Sequence, residues 1–377
     1  MRKFVLIPDS FKGTMSSKEI CAIMEHALRA KHPSAEIISI PVADGGEGSV
    51  DAFLTALGGE KIEVAVKGPY LKDVFAFYGM LPDKTAVIEM AAAAGLPLVG
   101  EEKHAEKTTT YGVGQLMRHA LESGCKKMIV GLGGSATNDG GCGAAAALGV
   151  VFRNAKGEAF IPTGETLCQI AAIDTSALMP AVHTVPIVTM CDIDNPLCGP
   201  LGAAHVFAPQ KGADAAMVKF LDDGLAHLAK VVRTQLGCEI GQLHGAGAAG
   251  GMGGGMVAFF GSTLQMGIET VLDVVKFDTL VQGADMVFSG EGKIDYQSLL
   301  GKVVIGVARR TKKAGVPLVA IVGDIGDNIA EAYEEGVSAI FSINRVAVPY
   351  AQAKLRAKTD LALTMQNLLH FLTALQR

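Results

Sequence analysis

The sequence lacks the features that would assign it to an extracellular or zinc-stabilised class of protein. Its seven cysteines include no C-x-x-C pair, and its nine histidines form no H-E-x-x-H motif. An odd number of cysteines without paired spacing argues against a disulfide framework and a structural zinc site. The apolar run at the N-terminus is too short for a signal peptide. We therefore expect reduced thiols and a cytoplasmic location.

A strongly basic surface is also missing. The 377 residues include 33 Lys and Arg against 38 Asp and Glu, which gives a net charge of −5, and no long Lys/Arg run is present. Nucleic acids and anionic membranes attract basic proteins, so we expect neither as a partner. Residues 245–268 are uncharged but too rich in glycine for a membrane span. The expected partners are small molecules, and a homo-oligomer is compatible with the sequence.

Two common enzyme signatures are absent as well. The chain has no G-x-x-x-x-G-K-[ST] motif, which excludes a P-loop enzyme, and no G-x-S-x-G motif, which weakens a hydrolase interpretation. Glycine, in contrast, is abundant at 46 residues. That number indicates many tight turns and places where the backbone closely approaches another group.

Both ends of the chain alternate short apolar strands with helices. Strands are predicted at 3–7 and 36–42 near the N-terminus and at 285–289 and 317–322 near the C-terminus. This alternation is typical of a parallel sheet covered by helices on both faces. The middle of the chain differs, because strand-like segments follow one another closely and glycine clusters break the pattern. We predict two α/β domains, one discontinuous, formed by residues 1–66 and 278–377, and one inserted, formed by residues 67–277.

Polar loops follow three of the predicted strands. In an open parallel sheet, ligands bind outside the carboxyl ends of the strands, so these loops would face one crevice if their strands share a sheet. The alternatives are a solvated surface turn and helix capping by acidic side chains. The candidate residues are Asp9, Ser10 and Lys12 in the first loop, Asp44, Gly45, Gly46 and Glu47 in the second, and Gly290, Glu291 and Asp295 in the third.

A glycine-rich loop, GLGGSATNDGG, occupies residues 131–141 after another predicted strand. Its backbone N–H groups could hold phosphates, as glycine loops do elsewhere. The loop also satisfies G-x-G-x-x-A, and residues 245–250 satisfy G-x-G-x-x-G, so a dinucleotide site remains an alternative. The candidate binding residues of the loop are Gly133, Gly134, Ser135, Thr137, Asn138 and Asp139.

Two acidic residues, Asp192 and Asp194, follow the predicted strand at 185–190. Two carboxylates separated by one residue suit Mg²⁺, which takes one or two carboxylates and keeps several waters. One of them could instead accept the proton of a substrate hydroxyl. The structural alternative is an Asx-turn ahead of Pro196.

Eight ordered sequence blocks carry a resemblance to a known family. They are residues 7–13 (IPDSFKG), 43–48 (ADGGEG), 109–114 (TTYGVG), 131–141 (GLGGSATNDGG), 192–197 (DIDNPL), 207–212 (FAPQKG), 245–251 (GAGAAGG) and 289–292 (SGEG). Together they closely resemble bacterial glycerate kinases of the first class. The departures are small: Met15, Ser49 and Cys142 stand where Leu, Thr and Ala are frequent.

The resemblance implies transfer of a phosphoryl group from MgATP to D-glycerate, with 2-phosphoglycerate as product. It also implies a Rossmann-like domain made from both chain ends, an inserted second domain and an active site in the cleft between them. We expect Asp192, Lys12 and Asp295 to be catalytic and Asp192 and Asp194 to hold Mg²⁺. Lys12 and Lys211 would neutralise phosphates or the glycerate carboxylate.

Three alternatives remain open from the sequence. The GLGGSAT segment is similar to the GLGSSA loop of the galactose–homoserine–mevalonate kinase group, which would make the chain a kinase for another small alcohol. The two glycine fingerprints allow a nicotinamide-dependent dehydrogenase. A sensor that binds the ligand without turnover is the non-enzymatic alternative.

Overall fold

The computed structural model describes residues 3–42, 45–101, 103–299 and 301–375, so the candidate residue Asp44 lies outside the described residues. The strands are β1 Lys3–Pro8, β2 Glu36–Ser39, β3 Glu60–Lys67, β4 Asp73–Met80, β5 Thr85–Glu89, β6 Lys127–Gly131, β7 Val151–Arg153, β8 Ala159–Phe160, β9 Ala172–Asp174, β10 Ile187–Met190, β11 Thr263–Gln265, β12 Met286–Gly290, β13 Lys293–Ile294, β14 Leu318–Val322, β15 Asp324–Ile325 and β16 Val337–Ser342.

The helices follow the same numbering along the chain. The α-helices are α1 Ser17–Lys31, α2 Ser49–Leu57, α3 Ala91–Ala94, α4 Tyr111–Glu122, α5 Cys142–Ala147, α6 Ala203–Phe207, α7 Ala215–Leu236, α8 Ala248–Phe260, α9 Gly267–Val274, α10 Phe277–Leu280, α11 Tyr296–Leu299, α12 Val303–Ala314, α13 Glu331–Glu334 and α14 Tyr350–Leu375. Short 3₁₀ helices lie at Leu96–Val99, Ala105–Lys107, Gly164–Gln169, Pro180–His183 and Pro209–Lys211. Within the described ranges, no helix is both long and apolar enough to cross a bilayer.

The chain forms two compact units. Unit 1 comprises Met1–Ala43, Thr55–Leu57 and Ile268–Arg377, and unit 2 comprises Asp44–Leu54 and Gly58–Gly267. The α/β architecture with parallel strands that the sequence predicts is therefore present in a chain that divides into two parts.

Unit 1 is built on a five-stranded parallel sheet with the order β16-β14-β12-β1-β2. Its central strands β12 and β14 are buried at every residue, because helices cover both faces of the sheet. The core on the side of α1 and α14 contains Phe4, Leu6, Phe288, Ile20, Met24 and Leu361, among others. Wholly apolar strands of this kind leave polar residues only where the strands end.

Helix α1 begins with the capping box that the sequence predicts. The Ser16 hydroxyl accepts from the Glu19 N–H, and the Glu19 carboxylate accepts from the Ser16 N–H. The buried Ser17 hydroxyl next to it donates to the carbonyl oxygen of Pro8 at 2.6 Å and accepts from the Val42 N–H at 2.9 Å. This hydroxyl ties the residue at the end of β1 to the segment that follows β2, and so fixes where the loop after β1 begins.

Unit 2 contains a six-stranded sheet with the order β11-β10-β6-β5-β4-β3. Strands β5, β6, β10 and β11 of this sheet run parallel to one another, whereas β3 and β4 form an antiparallel hairpin attached to β5. The sequence prediction placed the strand near residues 61–66 in the domain of the chain ends. It pairs with β4 instead, because a short connection lets consecutive strands pair directly.

The glycine-rich segment before β11 folds into a kinked helix. Ala249, Gly250 and Gly251 all have left-handed backbone angles inside α8, and a buried helical turn follows. Glycine adopts this conformation without steric cost. Ala249 adopts it at φ 55°, where its Cβ atom makes the backbone conformation unfavourable. The three residues redirect the chain so that it packs backbone to backbone on the loop 131–141, as described below.

Candidate active site

Two glycine loops pack directly on each other at the carboxyl ends of β6 and β10 in unit 2. The Gly133 N–H donates to the carbonyl oxygen of Gly45 at 3.1 Å. A Cβ atom on Gly131 would collide with the Gly45 carbonyl, and one on Gly133 would collide with the Cα of Gly46. The structure thus brings the predicted residues Gly45 and Gly46 to the predicted loop 131–141, and glycine is required at this contact because no side chain fits.

Glu89, the last residue of β5, fixes the start of α2 beside these loops. Its side chain is buried, and one carboxylate oxygen accepts from the Val50 N–H at 2.6 Å. Burial raises the pKa of this carboxyl, while hydrogen bonds from the Val50 and Gly48 backbone lower it. No motif in the sequence marks Glu89. A single acid that ends an otherwise apolar strand was the available signal.

Asp139 holds the far end of the glycine loop. One carboxylate oxygen accepts from the Thr110 N–H at 2.7 Å, the Thr110 hydroxyl at 2.8 Å, the Thr109 hydroxyl at 3.3 Å and the Gly143 N–H at 3.2 Å. The other accepts from the Gly141 N–H at 3.2 Å. Burial raises the pKa of Asp139, and these hydrogen bonds oppose that effect. The predicted ligand residue Asp139 thus positions the loop, as do Thr109 and Thr110, to which the sequence analysis assigned no role.

Lys211 places a buried ammonium group against the same loop. Only 2% of the residue is exposed, and its Nζ donates to the Ser135 hydroxyl at 3.0 Å and to the Thr137 carbonyl oxygen at 2.6 Å. Both acceptors are neutral. Burial lowers the pKa of Lys211 to about 7, and the nearby Asp139 carboxylate opposes the decrease. A lysine in this environment is stabilised in its charged form when an anion binds beside it.

Thr137 and Asn138, next to the Lys211 ammonium along the loop, have polar side chains that the protein itself does not satisfy. Both residues are fully buried. Among the described residues, nothing hydrogen-bonds to the Thr137 hydroxyl, to the Asn138 side-chain oxygen or to its nitrogen. Each unsatisfied buried group costs about 1–3 kcal/mol. Polar groups left in this state are candidates for ligand contacts.

The segment 245–251 packs against the backbone of the glycine loop 131–141. The Gly140 N–H donates to the carbonyl oxygen of Gly250 at 3.1 Å, and a Cβ atom on Gly250 would collide with the Thr137 carbonyl. One on Gly251 would also crowd Leu197 and Leu225. The predicted residues Thr137 and Asn138 therefore lie on a backbone that is fixed on the Lys211 side and on the α8 side.

Asp192 and Asp194 follow β10 and are both exposed. The Asp192 carboxylate accepts from the Gly267 N–H at 2.7 Å, and an Asp194 oxygen lies 2.8 Å from Nδ1 of His244. Within the described ranges, no group of three or more His, Cys, Asp or Glu residues is arranged to hold a metal ion. Two exposed carboxylates still fit Mg²⁺, which keeps most of its waters and binds nucleotide phosphates. His244 is a partner that the sequence analysis did not assign.

In unit 1, the loops after β1 and β12 lie side by side. Pro8 pairs with Gly290 in the parallel ladder, and the Asp9 N–H donates to the carbonyl oxygen of Gly290 at 2.7 Å. The Asp9 carboxylate accepts from the Ser10 N–H at 2.6 Å. Lys12 is exposed in a turn closed by Phe11 and Met15. The structure therefore brings together two of the three loops for which the sequence predicts one crevice.

Glu291 is the buried acid of this second cluster, with only 5% of the residue exposed. Burial raises its pKa to about 7, and the Asp9 and Asp295 carboxylates add to the increase, while Ser298 and Lys302 oppose it. Its Oε1 atom has no hydrogen-bond partner in the part of the chain that the structure describes. At neutral pH this side chain can therefore either donate or accept a proton.

The family model of the glycerate kinase family matches residues 4–373. The chain belongs to the glycerate kinase family. Kinases are phosphotransferases, so the chain is a phosphotransferase, as the sequence resemblance implied.

Several relatives resemble this glycerate kinase family member along almost its whole length. It is 44% identical over 368 residues to a glycerate kinase of Bacillus cereus (strain ATCC 10987), a match that covers 97% of each chain. It is 43% identical over 343 residues to glycerate 2-kinase of Escherichia coli K12, which covers 90% of each. A crystal structure of a candidate glycerate kinase 2 from Salmonella typhimurium LT2 superposes with a TM-score of 0.88 at 40% identity and covers 100% of this chain and 99% of that one.

Proposed function

We propose that the protein transfers the γ-phosphoryl group of ATP to D-glycerate and releases 2-phosphoglycerate, with Mg²⁺ bound to the nucleotide. Membership of the glycerate kinase family supports the kinase chemistry. The single observation that carries the proposal is the buried Lys211 ammonium bound to the main chain of the loop that carries the unsatisfied side chains of Thr137 and Asn138. Such a cation is suited to a small anion, and both substrates of this reaction are anions.

Phosphoryl transfer requires positioning and charge neutralisation more than covalent chemistry. In our proposal, Lys211 neutralises a phosphate or the acceptor carboxylate, and the backbone N–H of Gly134 donates to a phosphate oxygen. The Gly133 N–H is engaged by the Gly45 carbonyl oxygen, so Gly133 positions the loop. Asp192 accepts the proton of the attacking hydroxyl or holds the metal together with Asp194. Bound Mg²⁺ would supply positive charge against the phosphates. Within unit 1, Lys12, Glu291 and Asp295 are the residues that we propose as binding candidates for charged ligand groups.

ATP supply and redox state favour the cytoplasm as the place of reaction. The cysteines that the structure describes are free thiols, and such thiols persist in reducing compartments. The nicotinamide-dependent dehydrogenase is the less favoured alternative, because β7, the strand that follows the glycine loop 131–141, ends in Arg153 and not in a ribose-binding acid.

The test is ³¹P NMR of purified protein with MgATP and D-glycerate. A 2-phosphoglycerate signal that requires both glycerate and Mg²⁺ would support the proposal and identify the position phosphorylated. A 3-phosphoglycerate signal would keep the kinase and correct the position. Intact ATP with folded protein would reject glycerate as the acceptor, and binding of glycerate without turnover would then indicate a sensor. Omission of glycerate controls for ATP hydrolysis.

A further inference from the structure

The unsatisfied atoms at Thr137 and Asn138 define a specific hydrogen-bonding demand. Asn138 offers one acceptor and one donor group, and neither has a partner among the described residues. Because both the oxygen and the nitrogen of the amide lack a partner, the side chain offers the same unsatisfied donor and acceptor in either orientation of the amide. Thr137 adds a hydroxyl that both donates and accepts. A ligand that satisfies this set must bring at least one hydrogen-bond donor of its own.

A positive charge is bound to the main chain of the same two residues. The Lys211 ammonium is 2.6 Å from the carbonyl oxygen of Thr137, the atom group that links Thr137 to Asn138. The ammonium group has three N–H donors, and its hydrogen bonds to Ser135 and Thr137 use two of them. The ligand that completes the site therefore carries a negative charge as well as a donor.

Three chemical groups can be compared with this demand. An ionised phosphate accepts hydrogen bonds but donates none, so it would leave the Asn138 oxygen unsatisfied and facing a negative charge. An adenine edge pairs well with an asparagine amide but has no charge for Lys211. A hydroxycarboxylate has a carboxylate for the cation and the amide nitrogen, and a hydroxyl hydrogen for the amide oxygen.

We infer that Thr137, Asn138 and Lys211 bind the hydroxycarboxylate portion of the acceptor and not the phosphates or the base of the nucleotide. This assignment rests on the proposed function, from which it takes D-glycerate as the acceptor. The Lys211 ammonium and the Asn138 nitrogen hold the carboxylate, and the Asn138 oxygen accepts from the 2-hydroxyl in the bound ground state, before that hydroxyl gives up its proton on attack. Unit 2 is then the unit that selects the hydroxy acid.

Direct binding separates this assignment from a nucleotide role. Full-length wild type and Asn138→Leu are titrated calorimetrically with D-glycerate alone, and separately with the Mg²⁺ complex of a non-hydrolysable ATP analogue. We expect Asn138→Leu to weaken the binding of D-glycerate by about 10- to 100-fold, because the ligand hydroxyl loses its hydrogen-bond acceptor. The affinity for the ATP analogue should change by less than about twofold. Weaker analogue binding with unchanged glycerate binding would overturn the assignment, and so would no change in either.

A pair of simple acids tests the hydroxyl contact itself. D-lactate and propionate differ only in the 2-hydroxyl, and their dissociation constants can be measured by ligand-observed NMR. Wild type should bind D-lactate about tenfold more tightly than propionate, and Asn138→Leu should reduce this ratio of dissociation constants to about one. Combining the change of ligand with the change of residue isolates the contact between the 2-hydroxyl and Asn138. An unchanged ratio in the variant would contradict the contact.

Two further variants control for loss of folding and for effects of substitution that do not depend on this site. Thr137→Val replaces a buried, unsatisfied hydroxyl by a methyl group and should keep or raise the melting temperature while weakening D-glycerate. It serves as the probe if Asn138→Leu does not fold. Asn367→Leu changes an exposed asparagine of α14 in unit 1 and should leave both affinities unchanged.

The two proposals fail in different ways. If wild type phosphorylates D-glycerate but its affinity for D-glycerate is insensitive to Asn138→Leu, the assignment of Thr137, Asn138 and Lys211 is wrong and the kinase proposal remains. If wild type shows no transfer yet prefers D-lactate over propionate in an Asn138-dependent manner, that assignment remains and the proposed function is wrong.

Discussion

The Lys211 ammonium donates to the main-chain carbonyl of Thr137 at 2.6 Å, although the two residues are 74 positions apart in the chain. This contact places a buried cation on a loop whose two central side chains, Thr137 and Asn138, have no protein partner among the described residues. A buried cation that donates only to neutral acceptors destabilises the free protein. Binding an anion would remove part of that cost, which is the physical basis for the predictions that concern Lys211.

Removing the charge of Lys211 should abolish most of the activity without unfolding the protein. We expect Lys211→Met to lower kcat/KM by about 100- to 1000-fold, the usual effect of losing one buried charge-stabilising group. The melting temperature should stay the same or rise, because a buried cation is replaced by an apolar chain of similar length. Steady-state kinetics and thermal unfolding check both points. Lys219→Met, at an exposed lysine of α7, is the matched control, and near-normal kcat/KM in Lys211→Met would contradict the role.

The affinity for D-glycerate should fall as the pH rises above 7. Burial lowers the pKa of Lys211 to about 7, so the ammonium is present below pH 7 and is lost above it in the free protein. Binding of an anion raises that pKa again, so binding takes up a proton above pH 7. The dissociation constant should therefore be flat below pH 7 and increase by up to about tenfold per pH unit above it.

Calorimetry in two buffers of different ionisation enthalpy measures this proton uptake. Glu291 is the complicating group, because its pKa is also raised to about 7. The uptake should persist in Glu291→Gln and disappear in Lys211→Met. A flat profile in wild type, or the same slope in Lys211→Met, would exclude Lys211 as the titrating group.

Asp192→Asn should lower kcat by several orders of magnitude while the fold remains intact. The asparagine oxygen can still accept from the Gly267 N–H, which the carboxylate contacts at 2.7 Å, but the charge needed to accept a proton or to hold Mg²⁺ is gone. A Mg²⁺ titration of kcat separates these two roles, since only a lost metal ligand is rescued by higher Mg²⁺. Asp73→Asn, at an exposed aspartate that begins β4, is the control. Near-normal turnover would remove Asp192 from the mechanism.

Gly133→Ala should destabilise unit 2 through a backbone collision. Its Cβ atom would meet the Cα of Gly46, and neither loop has a flexible side chain there that can move away. Overpacking of this kind costs about 1–3 kcal/mol, which urea unfolding can measure. Gly254→Ala is the control, because a Cβ atom there meets only side chains at 3.4 Å or more and helical backbone accepts alanine. Equal stability of the two variants would show that the two loops do not pack as described.

The sequence by itself determined the features that depend on neighbours in the chain. The Ser16–Glu19 capping box requires residues three positions apart, and the buried strands of the parallel sheets follow from uninterrupted apolar runs. The order of the motifs also identified the family. The polar residues Asp9, Asp192 and Glu291 are candidates from the sequence because each lies within two residues of the end of a strand.

The tertiary structure decided which polar groups are buried and which remain without a partner. The Glu89 carboxylate caps α2, which begins 40 residues before it in the sequence, and the predicted ligand Asp139 is engaged instead by Thr109 and Thr110. The strand at β3 pairs in the sheet of unit 2 and not with the chain ends. Such outcomes arise because burial and hydrogen-bond pairing depend on segments distant in the chain, and local sequence patterns contain no information about those contacts.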